Sequence, residues 1–572
     1  MKNKLIARLF EEMADLLEIK EVQWKPRAYR VAAQTLESMS EDISELARQD
    51  KLMDLPGIGE HMADKIKEFL KTGKIKELED LRKKTPIKVE ELRGVEGIGP
   101  KTIKKLYQKL KVKSLHDLEM AARKGLIQKV EGLGKKTQDN ILDAIGFRKS
   151  SGDRVLYAHA LSVADEVMAH LSQHADIDEI SVAGSLRRAK STIGDVDILV
   201  ASKRSSAVME ALSGFKDVKK VLAKGDTKSS VMLDNKMQVD VRVLPKEQWG
   251  AALLYFTGSK MHNIALRKIA IEKGLKLNEY GLFRTDRVVA QKTESDIYKS
   301  LGLSYIPPEI REDTGEIQAA QKGKIPPLIQ VKDLKGDFHM HTTASDGTAS
   351  IEQMARSAKA FGLSYCVITD HTGQLQIAGG LRGKDLMDHI KKIRRVAEKT
   401  KGFTILAGAE ANITEQGELD IDTAALNRLD LTIGSVHSGF KNTKEKMTKR
   451  ICTALEHPRM HILGHPTGRL INRRPSYEFD VEKVFAQAKR TGTALELDAQ
   501  PYRFDLPTSL LRKAKENDLT ISISSDAHAP DQIRYLEYGV AHARRAWLEP
   551  KDTLNVRSAK EILSWAKKKQ GP

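Results

Sequence analysis

"KGDFHMHTTASDGTAS", residues 335–350, places histidines at 339 and 341 and an aspartate at 346. Side chains alternate along an extended segment, so His339 and His341 share one face, and Asp346 follows in the loop beyond. Two imidazoles and a carboxylate brought together suit a divalent cation. The same design recurs outward from this stretch. "YCVITDH" ends at His371, "FTILAGAE" at Glu410 and "LTIGSVH" at His437; "HILGHP" contains His465, and "TISISSDAH" supplies Asp526 and His528. With "GDFHMH" and "TALELDA" these make seven apolar runs separated by helix-patterned segments, which argues for a parallel α/β barrel or a similar closed sheet. Active sites of barrels lie at the C-terminal strand ends, and the nine polar side chains cluster at those ends.

Nine ligands exceed the need of one tetrahedral ion, which takes about four. They fit two or three ions, with Glu410 available as a bridge, and mixed imidazole and carboxylate donors favour Mn²⁺, Zn²⁺ or Fe²⁺ over Mg²⁺. Such ions clamp phosphate oxygens and acidify water, the requirements of phosphoester hydrolysis. Asp370 and Asp498 are read as supporting carboxylates. Arg469, Arg473 and Arg474 in "HPTGRLINRRP" form either a phosphate-binding patch or a solvated loop.

The chain has 572 residues, too many for one core, and a formal net charge of +18. That excess favours polyanionic partners, although charge alone fits a merely basic soluble protein equally well. Cys366 and Cys452 sit inside apolar runs, so buried thiols and a cytoplasmic location are expected. The amphipathic N-terminus is not expected to act as a signal peptide, and no stretch approaches the roughly 18 apolar residues of a membrane span.

Residues 1–145 are helix-patterned and contain an internal repeat: "LPGIGEHMADKI" (55–66), "VEGIGPKTIKKL" (95–106) and "VEGLGKKTQDNI" (130–141). The glycine pairs Gly57 and Gly59, Gly97 and Gly99, and Gly132 and Gly134 make tight turns that bring backbone N–H groups to helix N-termini, where phosphates bind. These stretches resemble helix-hairpin-helix units, which grip the DNA backbone without reading sequence.

Further along, "AGSLRRAKSTIGDVDILV" (183–200) and "MQVDVRVL" (237–244) carry Asp195, Asp197 and Asp240. Asp195 and Asp197 share a strand face. Three carboxylates on neighbouring strands behind a Gly-Ser turn suit two Mg²⁺ or Mn²⁺ ions for in-line phosphoryl transfer, and Ser185 and Arg188 beside the turn can hold leaving phosphates.

These motifs, with "LLYFTGSKMHNIALR" (253–267), resemble the family X DNA polymerases, the group typified by DNA polymerase beta. The resemblance implies that Asp195, Asp197 and Asp240 bind metal and that Asp240 activates the primer 3′-hydroxyl. Ser185, Arg188, Gly194 and Arg154 then contact the triphosphate; Tyr255, Phe256 and Gly258 lie against the sugar; Asn263 and Arg267 face the nascent base pair. Core packing explains the two aromatics equally well. "WKPRAYRVAA" (24–33) matches the family's 5′-phosphate-binding helix through Lys25, Tyr29 and Arg30, and Lys65 matches its Schiff-base lysine. His61 stands where a supporting lysine is expected, and Lys65 is alternatively an ordinary helix lysine.

The H-x-H, T-D-H, Glu, S-V-H, G-H-P and S-D-A-H elements resemble a PHP (polymerase and histidinol phosphatase) domain. The whole chain then resembles bacterial and archaeal family X polymerases that carry a C-terminal PHP domain. The expected organisation is a lyase-like helical domain at 1–90, fingers with two hairpins at 91–150, a nucleotidyltransferase palm at 151–245, a thumb at 246–315, a linker at 316–334 and a seven-stranded (β/α) PHP barrel at 335–572. The implied function is gap filling with dNTPs on gapped or nicked double-stranded DNA, by a monomer, with 3′-end removal and abasic-site cleavage at the PHP site. Two rivals remain: a tethered small-molecule phosphatase, and a DNA-end-binding scaffold with structural metal sites.

Overall fold

The computed structural model describes residues 2–38, 43–55, 57–93, 95, 98–150, 154–373 and 379–569. Helix α1 (Lys2–Ile19) is apolar at 6, 10, 13 and 17, one helical face, and lays those side chains against α2 (Lys25–Ser38). One continuous core runs from Ile6 to Ile145, so residues on both sides of position 90 are packed together.

The three repeats fold alike. Ile58, Ile98 and Leu133 each donate a backbone N–H to the carbonyl three residues earlier, at 3.1, 3.2 and 2.8 Å. Each turn feeds a helix: α3 (Glu60–Thr72), α4 (Pro100–Leu110) and α5 (Lys135–Ser150). Gly57 and Gly132 adopt φ of +74° and +78°, and a Cβ on Gly57 would stand 2.4 Å from Val31, so side chains are excluded there. Gly59 and Gly99 are the N-caps of α3 and α4 and offer no capping side chain. Gly97 lies outside the described residues.

Five strands form the sheet of the region expected to be the palm: β1 (Glu179–Val182), β2 (Asp195–Ala201), β3 (Val218–Lys224), β4 (Lys228–Leu233) and β5 (Gln238–Leu244), in the order β1-β2-β5-β4-β3. β2 and β5 are parallel and central, and their inward residues Val196, Ile198, Val200, Val239 and Val241 are fully buried. The short α6 (Gly184–Arg187) joins the sheet to its active face. The thumb has α7 (Trp249–Thr257), α8 (Lys260–Glu272) and a three-stranded antiparallel sheet.

Residues 316–334 are not the loose linker expected from their polarity. They begin with α9 (Glu316–Gln321), and Ile317, Ala320 and Leu328 enter the thumb core beside Trp547. A few well-spaced apolar side chains suffice to pack a segment whose average composition is polar.

The C-terminal domain is a parallel seven-stranded sheet in chain order: β6 (Gly336–Asp337), β7 (Tyr365–Ile368), β8 (Thr404–Asn412), β9 (Leu431–Ser435), β10 (Ile462–Gly464), β11 (Ala494–Asp498) and β12 (Ile521–Ser524). Past the ends of β6 and β12, Met340 bridges Ala527 in parallel, and His341 N–H donates to the Ala527 carbonyl at 2.8 Å. These links nearly close the barrel. Cys366 is buried and Cys452 half-buried, and both are free thiols. Among the described residues no helix is long and apolar enough to cross a membrane.

Candidate active sites

Parallel pairing of β2 and β5 sets Asp197 directly opposite Asp240, with Asp195 two residues away on the same face. Burial, together with the charges of Asp195 and Asp240, raises the Asp197 pKa to about 6. Gln238 donates to Asp240 at 2.9 Å, and the Lys228 ammonium lies 3.6 Å from it. This is a set of mutually repelling oxygen donors, suited to hard cations such as Mg²⁺ or Mn²⁺. Gly184, at φ +56°, packs so closely that a Cβ would lie 2.1 Å from the Asp197 carboxylate. Replacing Gly184 with alanine displaces that carboxylate. Since a shift of about 1 Å at a reacting centre costs on the order of 100-fold, primer extension should fall by about that factor while 3′-end shortening is unchanged, as read on one labelled strand.

The residues matched to the triphosphate flank this face. Ser185 is half-buried on α6. Arg188 is buried and donates to the Thr257 carbonyl at 2.7 Å and to Glu312 at 2.9 Å. Arg154 folds onto Thr192, donating to its hydroxyl at 3.0 Å, and a Cβ on Gly194 would lie 3.1 Å from the Arg154 guanidinium. Asn263 donates to the Tyr255 carbonyl at 2.7 Å, and a Cβ on Gly258 would stand 2.3 Å from Asn263 Oδ1. The Tyr255 and Phe256 rings meet edge to face, and the Arg242 guanidinium lies 4.5 Å from the Phe256 centroid. Arg267 is exposed one helical turn past Asn263.

Behind this wall lies a network that sequence inspection did not assign. Arg187 makes a two-pronged bond to Glu294 at 2.7 and 2.8 Å, and the fully buried Arg311 reaches the same carboxylate. Burial opposes ionisation of Glu294, but the two guanidinium groups hold its pKa down to about 2.

The N-terminal pocket differs from the expectation. Tyr29 is fully buried, and its hydroxyl donates to Glu77 at 3.3 Å. Lys65 is also buried, with its ammonium 2.7 Å from the same carboxylate, and His61 stands 3.8 Å from it. A nucleophilic amine must first leave this ion pair. Lys25 adds its charge near Glu77. Arg30 is committed to Asp15 at 3.1 Å and Glu18 at 2.5 Å, so its charge is already matched. Interhelical ion pairs of this kind leave no local trace in a sequence.

All nine C-terminal residues converge on one rim of the barrel. Three sets have ligand atoms within 4.8 Å of one another: His341, Asp346, His371 and His528; His339, His341 and Asp526; and His371, Glu410 and His437. Among the described residues such mutual approach is confined to this domain. Glu410 sits at the centre, with imidazole nitrogens of His371, His465, His437 and His339 at 2.7, 3.0, 3.2 and 3.4 Å. Among the described residues, the buried nitrogens His341 Nδ1, His437 Nδ1 and His465 Nδ1 have no hydrogen-bond partner. Unpaired buried imidazole nitrogens beside carboxylate oxygens fit divalent cations, because buried polar atoms otherwise find partners. Burial and neighbouring imidazoles lower the His341 pKa to about 4, whereas, against burial, the Glu410 and Asp346 carboxylates raise that of His371 to about 10. His465 and Asp526 hold φ of +25° and +48°, strain of the kind that collects at functional sites.

Carboxylates behind the rim fix these imidazoles. The fully buried Glu496, absent from the sequence-based set, accepts from His339 Nδ1 at 2.8 Å and from the His465 backbone N–H at 2.7 Å. Its signal was an acidic residue inside the apolar strand "TALELDA". Asp370 accepts from Thr342, Ser345 and His389, and Asp498 pairs with Arg503 at 3.2 Å, supporting roles for both. Arg469 donates through Nε and Nη2 to the Arg503 and Phe504 carbonyls, and Arg474 donates to the Gly468 carbonyl at 2.8 Å and stacks on Phe440, so both are engaged within the protein. Arg473 is exposed. Because outer partners of metal-binding histidines are worth about 10- to 100-fold in affinity, Glu496→Gln should weaken metal retention by that factor in competition with a chelator.

Comparison with known proteins agrees with this layout. Models of a helix-hairpin-helix domain match residues 1–75, a SAM-like helix-hairpin-helix tandem 89–146, the DNA polymerase beta thumb 252–312 and a PHP domain 337–500. Over 573 aligned residues, 99% of this chain and the whole of the relative, the sequence is 39% identical to the DNA polymerase/3′-5′ exonuclease PolX of Bacillus subtilis (strain 168). A probable phosphatase of Thermoanaerobacter sp. (strain X514) is 31% identical over 41% of this chain and 96% of its own length. Another, from Caldanaerobacter subterraneus subsp. tengcongensis, is 32% identical over 34% of this chain and 75% of its own. The full-length match, carrying both the aspartate-bearing sheet and the histidine-rimmed barrel, shows that the chain belongs to the family X DNA polymerases with a C-terminal PHP domain.

Proposed function

We propose that the chain is a DNA polymerase and 3′-5′ exonuclease that fills short gaps in DNA, building phosphodiester bonds at Asp195, Asp197 and Asp240 and hydrolysing them at the barrel rim. The observation that carries this reading is the strand register that sets Asp197 opposite Asp240, in a chain similar along its whole length to a protein named for both activities.

Asp240, a carboxylate that accepts from Gln238, takes the proton of the primer 3′-hydroxyl in this reading. Ser185, Arg154 and Arg188 hold the triphosphate, so that pyrophosphate leaves against fixed positive charge. Tyr255 and Phe256 press on the sugar and disfavour a ribose 2′-hydroxyl. Asn263 and Arg267 face the nascent pair. Uncapped helix N-termini at the glycine hairpins grip the phosphates flanking the gap. At the other site, Glu496 and Glu410 orient the imidazoles, and Asp346, Asp526 and His528 close the rim. Divalent ions, bound by the three aspartates as Mg²⁺ or Mn²⁺ and by the nine-residue rim as two or three Mn²⁺ or Zn²⁺, supply Lewis acidity at both places.

The similarity of the barrel alone to probable phosphatases favours one rival, a small-molecule phosphomonoesterase. After chelation and return of Mn²⁺, the protein should shorten a labelled 3′ end in one-nucleotide-gapped DNA far faster than it hydrolyses p-nitrophenyl phosphate. Rapid turnover of the soluble ester without 3′-end shortening would replace the exonuclease reading.

A further inference from the structure

Both arginines assigned to the triphosphate are held by their main chains from the PHP domain. Helix α10 (Tyr535–Arg545) packs on the palm, where Tyr538 meets the Tyr157 ring edge to face at 5.8 Å. At its last residue, Arg545 donates to the main-chain carbonyl of Arg188 and lies 3.2 Å from Glu312. Glu312 is the carboxylate that also accepts from Arg188 at 2.9 Å and stands 3.5 Å from Lys190. Without Arg545, this carboxylate would be shared by Arg188 and Lys190 alone, and more of its charge would be set against the cation that must meet the nucleotide.

The second contact comes from a different loop. Asn472 Nδ2 donates to the main-chain carbonyl of Arg154 at 2.7 Å. Asn472 sits at the tip of a tight turn, at φ +61°, closed by Leu470 N–H donating to the Arg474 carbonyl at 2.8 Å. Ile471 N–H, bonded to the Tyr502 carbonyl at 2.6 Å, ties that turn to the body of the barrel.

We infer that Asn472 and Arg545 of the PHP domain are positioning residues for nucleotide binding at the polymerase site, setting the main chains of Arg154 and Arg188 against the incoming triphosphate. The inference rests on the assignment of those two arginines to the triphosphate. A hydrogen bond to a charged group is worth about a factor of ten or more in binding. In the full-length protein on one-nucleotide-gapped DNA, Arg545→Ala should therefore raise the KM for dNTP about tenfold while kcat changes by less than about twofold. Arg545→Lys, which keeps the charge beside Glu312 and one donor, should recover much of the loss. Asn472→Asp tolerates the left-handed turn but removes the donor, and should raise the KM in the same way. In both Arg545→Ala and Asn472→Asp the 3′-end shortening rate should equal that of the parent.

Arg188→Ala serves as the reference. If it raises the KM while Arg545→Ala and Asn472→Asp do not, the positioning role is wrong and the triphosphate assignment stands. If Arg188→Ala leaves the KM unchanged, the assignment itself fails and the inference with it. A parallel fall of kcat, KM-independent extension and shortening in Arg545→Ala, without rescue by lysine, would show a general structural role and would also overturn the inference.

Discussion

Replacing His341 with alanine should reduce 3′-end shortening by at least about 100-fold, since even the hydrogen-bond partners of such ligands are worth 10- to 100-fold. His341 is fully buried and belongs to two of the three ligand sets, so its loss opens both at once. The imidazole cannot be replaced by water alone, because Asp526 and Asp346 face it at 3.2 and 3.8 Å and would be left as neighbouring carboxylates short of a partner. Extension should persist, because Asp195, Asp197 and Asp240 lie on a separate five-stranded sheet. The check is single-turnover digestion of a 5′-labelled primer, with extension of the same primer as the control for folding.

The second large effect is at Asp240. Alanine there removes the group proposed to take the 3′-hydroxyl proton, and general-base catalysis contributes roughly 10²- to 10⁴-fold. Primer extension should fall within that range while shortening continues. The same change relieves repulsion: Asp197 loses one of the two anionic neighbours that, after burial, raise its pKa. The variant should therefore melt no lower than the parent. Catalytic clusters of like charge are held at a cost to stability, and a core aspartate of purely structural function would show the opposite sign.

Much of both sites was legible because the chemistry demands rare residue types at strand ends. His339, His371, Glu410, His437, His465 and Asp526 each end or follow an apolar run, and a parallel barrel gathers such ends on one rim. Asp195, Asp197 and Asp240 were legible for the same reason, by their alternation on two strands. Contacts between distant segments were not legible. Arg187 and Glu294 are 107 residues apart, and Arg545 and Glu312 are 233 apart; nothing local in either partner marks the pairing. Lys65 matches the family's Schiff-base lysine and Arg30 its 5′-phosphate-binding helix by position, yet Glu77, Asp15 and Glu18 take up their charges. The packing of 316–334 escapes composition, which averages over residues, whereas packing needs only Ile317, Ala320 and Leu328 at the right places. Glu496 lies within an apolar strand, where a lone carboxylate carries no motif of its own.

The most direct test of the central claim, that one chain holds two separate sites of opposite action on the same bond, is a strand-length assay. A 5′-labelled primer in one-nucleotide-gapped DNA is incubated with the full-length protein, dNTPs and Mn²⁺. The parent should give both longer and shorter products, Asp240→Ala only shorter ones and His341→Ala only longer ones. Loss of both product classes from either single substitution would contradict the account.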